Sequence, residues 1–134
     1  MRVQTKAALG TVMDGRPYVS LVLVAFDAGG SPLLLLSRLA QHTKNLLADP
    51  RVSLLFDGAE GLEDPLTGSR LTVLGSIAAC ADPEALKRYV ARHPSAETYA
   101  GFSDFRLYRV TTERAHFVAG FGQIRWIEAS ALIG

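Results

Sequence analysis

The chain has 134 residues and a mass of 14.4 kDa, which suits one domain that buries its own core without disulfides or a structural metal. Fourteen Lys and Arg residues face 13 Asp and Glu residues, and the net charge of +1 gives no global field of the kind that attracts nucleic acid or an acidic membrane. The single cysteine, Cys80, excludes an internal disulfide framework and a cysteine-rich zinc site.

The first third of the chain predicts a series of strands. Three apolar runs in "ALGTVMDGRPYVSLVLVAFDAGGSPLLLLS" are separated by "DG" and "DAGGSP", which are turn signals between extended segments. The most apolar run, Leu33–Leu36, is far shorter than a membrane span, and the N-terminus lacks a long apolar signal region. We therefore expect a cytoplasmic protein that begins with a β-meander.

The pattern changes after Ser37. "AQHTKNLLADP" has no two-residue alternation, carries a capping candidate near Gln41 to Thr43, and ends at Asp49-Pro50, so it predicts a short helix. "RVSLLFDG" and "RLTVLGSIAACA" are rich in Val, Leu, Ile and Thr and predict two further strands, with "GAEGLEDPLTGS" as the loop between them.

The last third predicts one clear helix and a return to strands. "DPEALKRYVARHPS" opens with an Asp N-cap, has Pro83 at the first helical position and stops at His93-Pro94. "SAETYAGFSD" favours one more short helix, and "FRLYRVTTERAHFVAGFGQIRWIEA" predicts two or three strands that turn near "TTER". Because strands dominate and helices do not alternate with them, the chain favours a mainly β fold, a small antiparallel barrel with peripheral helices in one domain, residues 1–134.

Hydroxyl and cationic side chains cluster where the fourth strand ends and the first helix begins. A helix N-terminus offers unpaired N–H groups and a partial positive charge, Arg adds a planar fork and Lys a point charge, so this stretch suits a phosphate. The alternative is that Thr43 only caps the helix while Arg38, His42 and Lys44 point into solvent. Spacing alone leaves both interpretations open.

The stretch from "GRPYVSLVLVAF" to "DPRVSLLF" resembles the pyridoxamine 5'-phosphate oxidase-like, FMN-binding split-barrel superfamily. "S-x-L-A-x-H-T-x-N-L" followed by "D-P-R-x-S-L-L" is especially similar to the haem-utilisation, HugZ-type branch, and "RLTVLGSI", "YAGFSDFRLYRV" and "AHFVAGFGQI" resemble it in the same order. The resemblance implies a split β-barrel, a homodimer, and FMN in a groove between subunits.

Site residues follow from the same resemblance. The phosphate and ribityl end would be formed by Ser37, Arg38, His42, Thr43, Lys44 and Asn45. Tyr18, Val19 and Ser20 would line the flavin ring, largely through backbone groups. The partner subunit would contribute Arg70 and the "GFGQ" segment that ends at Gln123.

The function expected from this resemblance is FMN binding, with a flavin-dependent oxidoreductase as the main hypothesis and no catalytic side chain named. The alternatives are a non-enzymatic flavin- or haem-binding module, or a truncated relative of HugZ-type haem-degrading proteins. FMN is preferred over haem because the HugZ-type branch carries a C-terminal haem-ligating histidine, whereas this sequence has no histidine after His116. The position of His116 in an alternating strand indicates a structural residue rather than a metal ligand.

Two strands are too apolar for both faces to be solvated, Val52–Phe56 and Leu71–Ile77. Burying that surface against an identical copy predicts a homodimer. The alternative is a monomer in which those strands pack under the Asp82–His93 helix.

Overall fold

The computed structural model describes residues 5–58, 68–119 and 123–129, and these form one antiparallel sheet of eight strands with two α-helices beside it. The strands are β1 Lys6–Met13, β2 Arg16–Leu23, β3 Ala25–Phe26, β4 Pro32–Ser37, β5 Arg51–Asp57, β6 Ser69–Ala79, β7 Phe105–Ala119 and β8 Ile124–Glu128. The helices are α1 Gln41–Ala48 and α2 Pro83–Arg92, and a 3₁₀ helix covers Pro94–Thr98. The expected mainly β, antiparallel barrel with peripheral helices is confirmed.

The order of strands across the sheet is β2-β1-β5-β6-β7-β4-β3, with β8 added beside β7. The β1–β2 hairpin turns at Asp14 and Gly15, whose φ angles of 51° and 76° are both positive. Two positive φ angles define the turn whose twist matches that of the paired strands, which is why "DG" predicts this hairpin correctly. Of the predicted loop "GAEGLEDPLTGS" between β5 and β6, residues 59–67 lie outside the described residues.

Helix α1 lies where the sequence predicts it, but it begins differently. Its N-cap is Ala40, which makes no side-chain capping hydrogen bond, and its C-cap is Asp49. The prediction of a capping side chain between Gln41 and Thr43 is wrong, because Thr43 lies inside the helix on its buried face. Just before the helix, the Ser37 hydroxyl accepts a hydrogen bond from the Leu39 N–H at 3.1 Å.

Strand β7 runs without interruption through "TTER", so the turn that the sequence predicts there is wrong. The ladder between β7 and β6 shifts register between Leu74 and Gly75, and the irregularity is absorbed as a bulge rather than a turn. A Cβ on Gly75 would overlap the Thr111 carbonyl oxygen, so this close approach of two backbones requires glycine.

Helix α2 matches its predicted boundaries, and the Asp82 side chain accepts a hydrogen bond from the Glu84 N–H at 3.0 Å. Its buried residues Ala85 and Tyr89 pack with side chains from β3, β4 and β7, namely Ala25, Leu33, Leu35 and Leu107. The helix therefore covers the sheet at β3 and β4 rather than at β5 and β6. The packing assumed in the monomer alternative, with α2 over β5 and β6, is wrong.

The larger core lies inside the curved sheet. Its members come from all strands from β1 to β7 and from α1, among them Leu9, Val22, Phe26, Leu34, Leu46, Leu54, Val73 and Val110. No helix among the described residues is long and apolar enough to cross a membrane.

Candidate functional site

The candidate site is a slit in the barrel wall. Strands β2 and β4 approach each other but are not neighbours in the hydrogen-bonded order of the sheet, so the barrel stays open between them. A cavity of about 270 Å³ lies in this opening, which we call the β2–β4 slit. It is lined by Leu21, Val22, Leu23, Leu35, Leu36, Ser37, Ala40, His42, Tyr89, Tyr99 and Phe105. The lining is apolar except for a few polar tips, as expected of a site for a small organic ligand.

His42 is the titratable side chain that α1 brings to the slit. Its Nδ1 lies 2.9 Å from the Ser20 hydroxyl oxygen on β2, so a hydrogen bond joins the helix to the strand across the opening. Burial lowers the pKa of His42 below its usual value, since a half-buried site disfavours the charged imidazolium. This favours the neutral ring, in which one nitrogen carries a free electron pair.

Ser37 and Arg38, at the end of β4, are tied to the segment before β7. The Ser37 hydroxyl donates to the Asp104 carboxylate at 3.3 Å, and the Arg38 N–H donates to the Asp104 carbonyl oxygen at 2.7 Å. A phosphate at the Ser37 hydroxyl would therefore face a carboxylate, which opposes an anion.

Thr43 and Asn45 face the protein core rather than the slit. Thr43 is fully buried, and Asn45 is 4% exposed. The Asn45 amide donates to the Thr11 hydroxyl at 3.1 Å, while its carbonyl oxygen accepts from the Gln41 amide at 2.7 Å. These contacts fasten α1 to β1, and the role of both residues at a phosphate stays a prediction.

Lys44 and Arg38 are exposed at the start of α1, where no described side chain caps the first turn. Two cations beside uncapped N–H groups favour the binding of an anion at this helix start. The structure thus divides the six predicted residues: Arg38 and Lys44 lie outside, Ser37 and His42 line the slit, and the other two face the core.

The predicted ring-binding residues alternate between the two faces of β2. Val19 is 69% exposed on the outer face, whereas Tyr18 and Ser20 are half-buried on the other. A single ligand can contact all three only through the backbone, which is the kind of contact that the family resemblance implies for them.

Arg70 and Gln123 lie apart from the slit, near the paired ends of β6, β7 and β8. Arg70 is paired with Asp57 and Val118 in the sheet, and the Gln123 carbonyl accepts from the Ala119 N–H at 2.8 Å. One guanidinium nitrogen of Arg70, Nη1, is buried with no hydrogen-bond partner among residues 5–58, 68–119 and 123–129. Gly120, Phe121 and Gly122 of "GFGQ" lie outside the described residues.

The outer face of the sheet carries a row of side chains whose arrangement the sequence predicts only in part. One register row across six strands runs Leu21, Ala8, Leu55, Thr72, His116 and Trp126. On this face the His116 and Trp126 rings lie 4.5 Å apart, and the Arg114 guanidinium lies 4.0 Å from the Trp126 ring centre. The alternation of Arg114 and His116 along β7 is the signal that could have predicted the cluster.

The described part of the chain holds no cluster of three or more His, Cys, Asp or Glu side chains placed to bind a metal ion. His93, which the sequence places at a helix end, is buried, and its Nε2 lies 2.8 Å from the Val24 carbonyl oxygen. His93 is thus engaged in holding α2 against the strand region before β3.

Comparison with known proteins gives concordant matches. The sequence model described as "Pyridoxamine 5'-phosphate oxidase" matches residues 3–119. "Non-canonical heme oxygenase HOZ, chloroplastic" from Arabidopsis thaliana is 39% identical over 110 residues, which are 80% of this chain and 33% of that protein. "Heme oxygenase HutZ" from Vibrio cholerae is 29% identical over 127 residues, which are 90% of this chain and 72% of that protein.

A solved structure agrees with the sequence relatives. The structure of a heme binding protein from Mycobacterium smegmatis superposes with a TM-score of 0.89 at 28% identity, covering 96% of this chain and 55% of that one. The chain spans about a third of the length of the Arabidopsis relative and about half of the mycobacterial chain.

Proposed function

Because the chain belongs to the pyridoxamine 5'-phosphate oxidase-like split-barrel family, and within it resembles the haem-utilising branch, we propose that it is a haem-binding protein. The observation that carries the proposal is the 39% identity, over 80% of the chain, to a protein named as a heme oxygenase. The sequence-based preference for FMN over haem therefore gives way to haem, since the named relatives are haem proteins.

The β2–β4 slit has the chemistry that a haem needs. Its apolar walls suit a porphyrin edge, and the uncharged His42 ring suits an iron. Arg38 and Lys44, exposed in the same segment as Ser37 and His42, suit the propionate carboxylates. Bound haem would supply the iron and oxygen chemistry, and the protein would supply position, polarity and exclusion of water.

A titration of the purified protein with ferric haem tests this proposal. We expect a saturable change in the Soret region at one haem per chain, and a loss of that band with a reductant in air if the chain also breaks haem down. A saturable Soret change without subsequent loss supports a binding module rather than a haem-degrading enzyme. No saturable change at micromolar haem would contradict the proposal.

FMN is the second candidate, favoured by the pair of exposed cations beside the uncapped start of α1. The Asp104 carboxylate at the Ser37 hydroxyl opposes it, so the phosphate would depend on Arg38 and Lys44. Changing both cations to Ala should weaken FMN more than riboflavin, which lacks the phosphate. Removing each charge-assisted hydrogen bond to the phosphate should cost roughly 1.5 kcal/mol or less of binding free energy, because both side chains are solvated.

Equal weakening of FMN and riboflavin in that double variant would show that no phosphate binds there. Failure of the unmodified protein to bind FMN would remove this candidate and leave the haem proposal intact. The hypothesis of a flavin-dependent oxidoreductase further requires that bound flavin be bleached by a reduced nicotinamide.

We also propose that the chain forms a homodimer through the outer face of the sheet. Val19 and Leu21 are 69% and 72% exposed on β2, and the row from Leu21 to Trp126 adds exposed Leu55 and Trp126 across six strands, with the polar Thr72 and His116 between them. Single exposed apolar side chains are normal on a monomer, whereas a group of them on one face indicates an interaction surface. A second copy related by a two-fold axis would cover it and would bring the half-buried Arg70 into the shared interface.

Light scattering at micromolar concentration should give twice the chain mass of 14.4 kDa. Leu55→Lys places a charge near the middle of the row that forms the proposed interface and should yield a monomer, whereas Lys44→Ala on α1 should leave the mass unchanged. A monomer for the unmodified chain, or a dimer that persists in Leu55→Lys, would contradict this interface.

A further inference from the structure

The side chain of Trp126 is held in place on the outer face of the sheet, yet about half of its surface is exposed. Its ring centre lies 4.5 Å from that of His116 and 4.0 Å from the guanidinium carbon of Arg114, and both neighbours belong to the adjacent strand β7. Trp126 is nevertheless 49% exposed. A large aromatic side chain that is already fixed loses little conformational freedom when a partner covers it, and tryptophan is frequent at the centres of protein interfaces for this reason.

The bulge in the β6–β7 ladder turns this cluster outward. Val110 and Ala115 are both fully buried although they are five positions apart, and in a regular strand such residues would lie on opposite faces. The register shift beside Gly75 places one extra residue in β7 between them, so both face the core. His116, and Trp126 opposite it on β8, therefore lie on the outer face.

The same outer face has a trough along β1, which we call the β1 trough. Its floor consists of two small residues, Ala8 and Gly10. Its walls are the residues that pair with them on β2 and β5, namely Leu21, Val19, Leu55 and Ser53. Beside Gly10 the trough opens into a cavity of about 440 Å³ that Val12, Pro17 and Ser53 help to line. A Cβ on Gly10 would overlap the Ser53 hydroxyl, so glycine is what keeps the floor low.

Trp126 and the β1 trough lie on one face of one sheet, near opposite edges of it. In a two-fold symmetric dimer a contact between two different surfaces occurs twice, so one chain must carry both surfaces on the same interface. Strand β6 lies midway between β1 and β8 in the order of the sheet. A two-fold axis along β6 would therefore lay β8 of each copy over β1 of the other, and sheets packed face to face commonly keep their strands nearly aligned in this way.

We propose that Trp126 of each copy seats in the β1 trough of the other copy and is the anchor of the dimer. This inference rests on the proposed homodimer through the outer face, and it names the contact that holds the two copies together. The low floor at Gly10 leaves room for an indole ring, and exposed Val19 and Leu21 offer it apolar walls. Burying an aromatic side chain of this size removes a large apolar area from water twice in each dimer.

Trp126 is the single tryptophan of the chain, so tryptophan fluorescence reports its surroundings alone. A dilution series of the unmodified protein, followed by light scattering and emission together, tests the contact. We expect the emission maximum to move to longer wavelength as the dimer dissociates, because dissociation exposes the indole to water. The shift should follow the fraction of monomer over the whole series.

Ser53→Phe separates the contact with the partner from the contacts of Trp126 within its own chain. A phenyl ring at this position fills the β1 trough from β5 and adds apolar surface, while Trp126 and its neighbours on β7 are unchanged. We expect the dissociation constant of the dimer to rise by roughly 30-fold or more, as for the loss of an interface anchor. A dimer held only by apolar area would be as strong or stronger in this variant.

Trp126→Ala should weaken the dimer at least as much as Ser53→Phe. Ile124 supplies the matched control, because it is 63% exposed on the same strand and lies two residues away on the same face. Ile124→Ala should raise the dissociation constant by less than about fivefold, since most residues around an anchor contribute little. Trp126→Phe should recover part of the loss seen in Trp126→Ala.

Each outcome separates this inference from the dimer on which it rests. A monomer for the unmodified chain would remove the proposed dimer itself. A dimer whose emission does not shift on dilution, or that persists in Trp126→Ala, would overturn the anchor and leave the dimer standing. Weakening in Trp126→Ala without weakening in Ser53→Phe would place Trp126 outside the β1 trough and likewise overturn the inference, as would equal weakening in Ile124→Ala and Trp126→Ala.

Discussion

Asn45 provides a test of which side chains of the "HTKN" segment hold α1 in place. Its amide donates to the Thr11 hydroxyl at 3.1 Å and its carbonyl oxygen accepts from Gln41 at 2.7 Å, and Asn45 and Thr11 are 4% and 3% exposed. Asn45→Ala leaves a buried hydroxyl without its partner, and such a loss costs roughly 1 to 3 kcal/mol of unfolding free energy. Exposed Lys44→Ala on the same helix should stay within about 0.5 kcal/mol.

Urea unfolding followed by tryptophan fluorescence measures these changes, and a double-mutant cycle assigns them. Thr11→Val keeps the shape of Thr11 and removes its hydroxyl, so Asn45→Ala should cost less in that background than in the unmodified chain. The coupling between the two positions should be at least about 0.5 kcal/mol, since the side chains are in contact.

Two results would refute this reasoning. One is an Asn45→Ala variant whose stability equals that of the Lys44→Ala variant. The other is a selective loss of FMN relative to riboflavin in Asn45→Ala, because that would place the amide at a phosphate after all.

Three further predictions concern the fold and its titration. Gly75→Ala should fail to fold or should lose several kcal/mol, since its Cβ would overlap the Thr111 carbonyl oxygen, and a soluble variant with unchanged urea midpoint would contradict the bulge. Arg109→Met should lower the free energy of unfolding in urea by roughly 1 kcal/mol or less, because the guanidinium lies 2.8 Å from Asp27 and 3.6 Å from Asp82 in ion pairs that are partly exposed, and a loss of about 3 kcal/mol would contradict that exposure. The pKa of His42, measured by NMR, should lie below 6.5, because burial favours the neutral ring. The free energy of unfolding should therefore be unaffected by this histidine above pH 6.5 and should fall as the pH drops from there toward the folded-state pKa. A pKa above 6.5 would contradict the buried placement.

Local features of the sequence predict the strands and helices well. Period-two apolar runs and the "DG" turn give β1 and β2, and an Asp-Pro start gives α2, because these signals act within a few residues. The start of α1 and the continuity of β7 through "TTER" could not be predicted, since each depends on a distant strand: Thr43 is drawn into the core, and Gly75 of β6 lets β7 absorb an extra residue.

The candidate site could be predicted only as a set of residues close in sequence. The contact that defines the slit joins Ser20 to His42, which are 22 positions apart, and no local pattern connects them. The opening itself exists because β2 and β4 end up side by side without pairing, which is a property of the whole strand order.

The geometry of a helix explains why the four predicted residues on α1, from His42 to Asn45, do not share one face. Residues three or four apart share a face, whereas neighbours in sequence point about 100° apart. In α1 the buried residues are Thr43, Asn45 and Leu46, so the face toward the core is settled by them, and Lys44 between them must point outward. His42 lies on that same face, one turn before Asn45 and Leu46, and it is half-buried because it stands in the first turn of the helix. From the first turn its side chain reaches the slit between β2 and β4, while Asn45 and Leu46 behind it anchor the helix to the core.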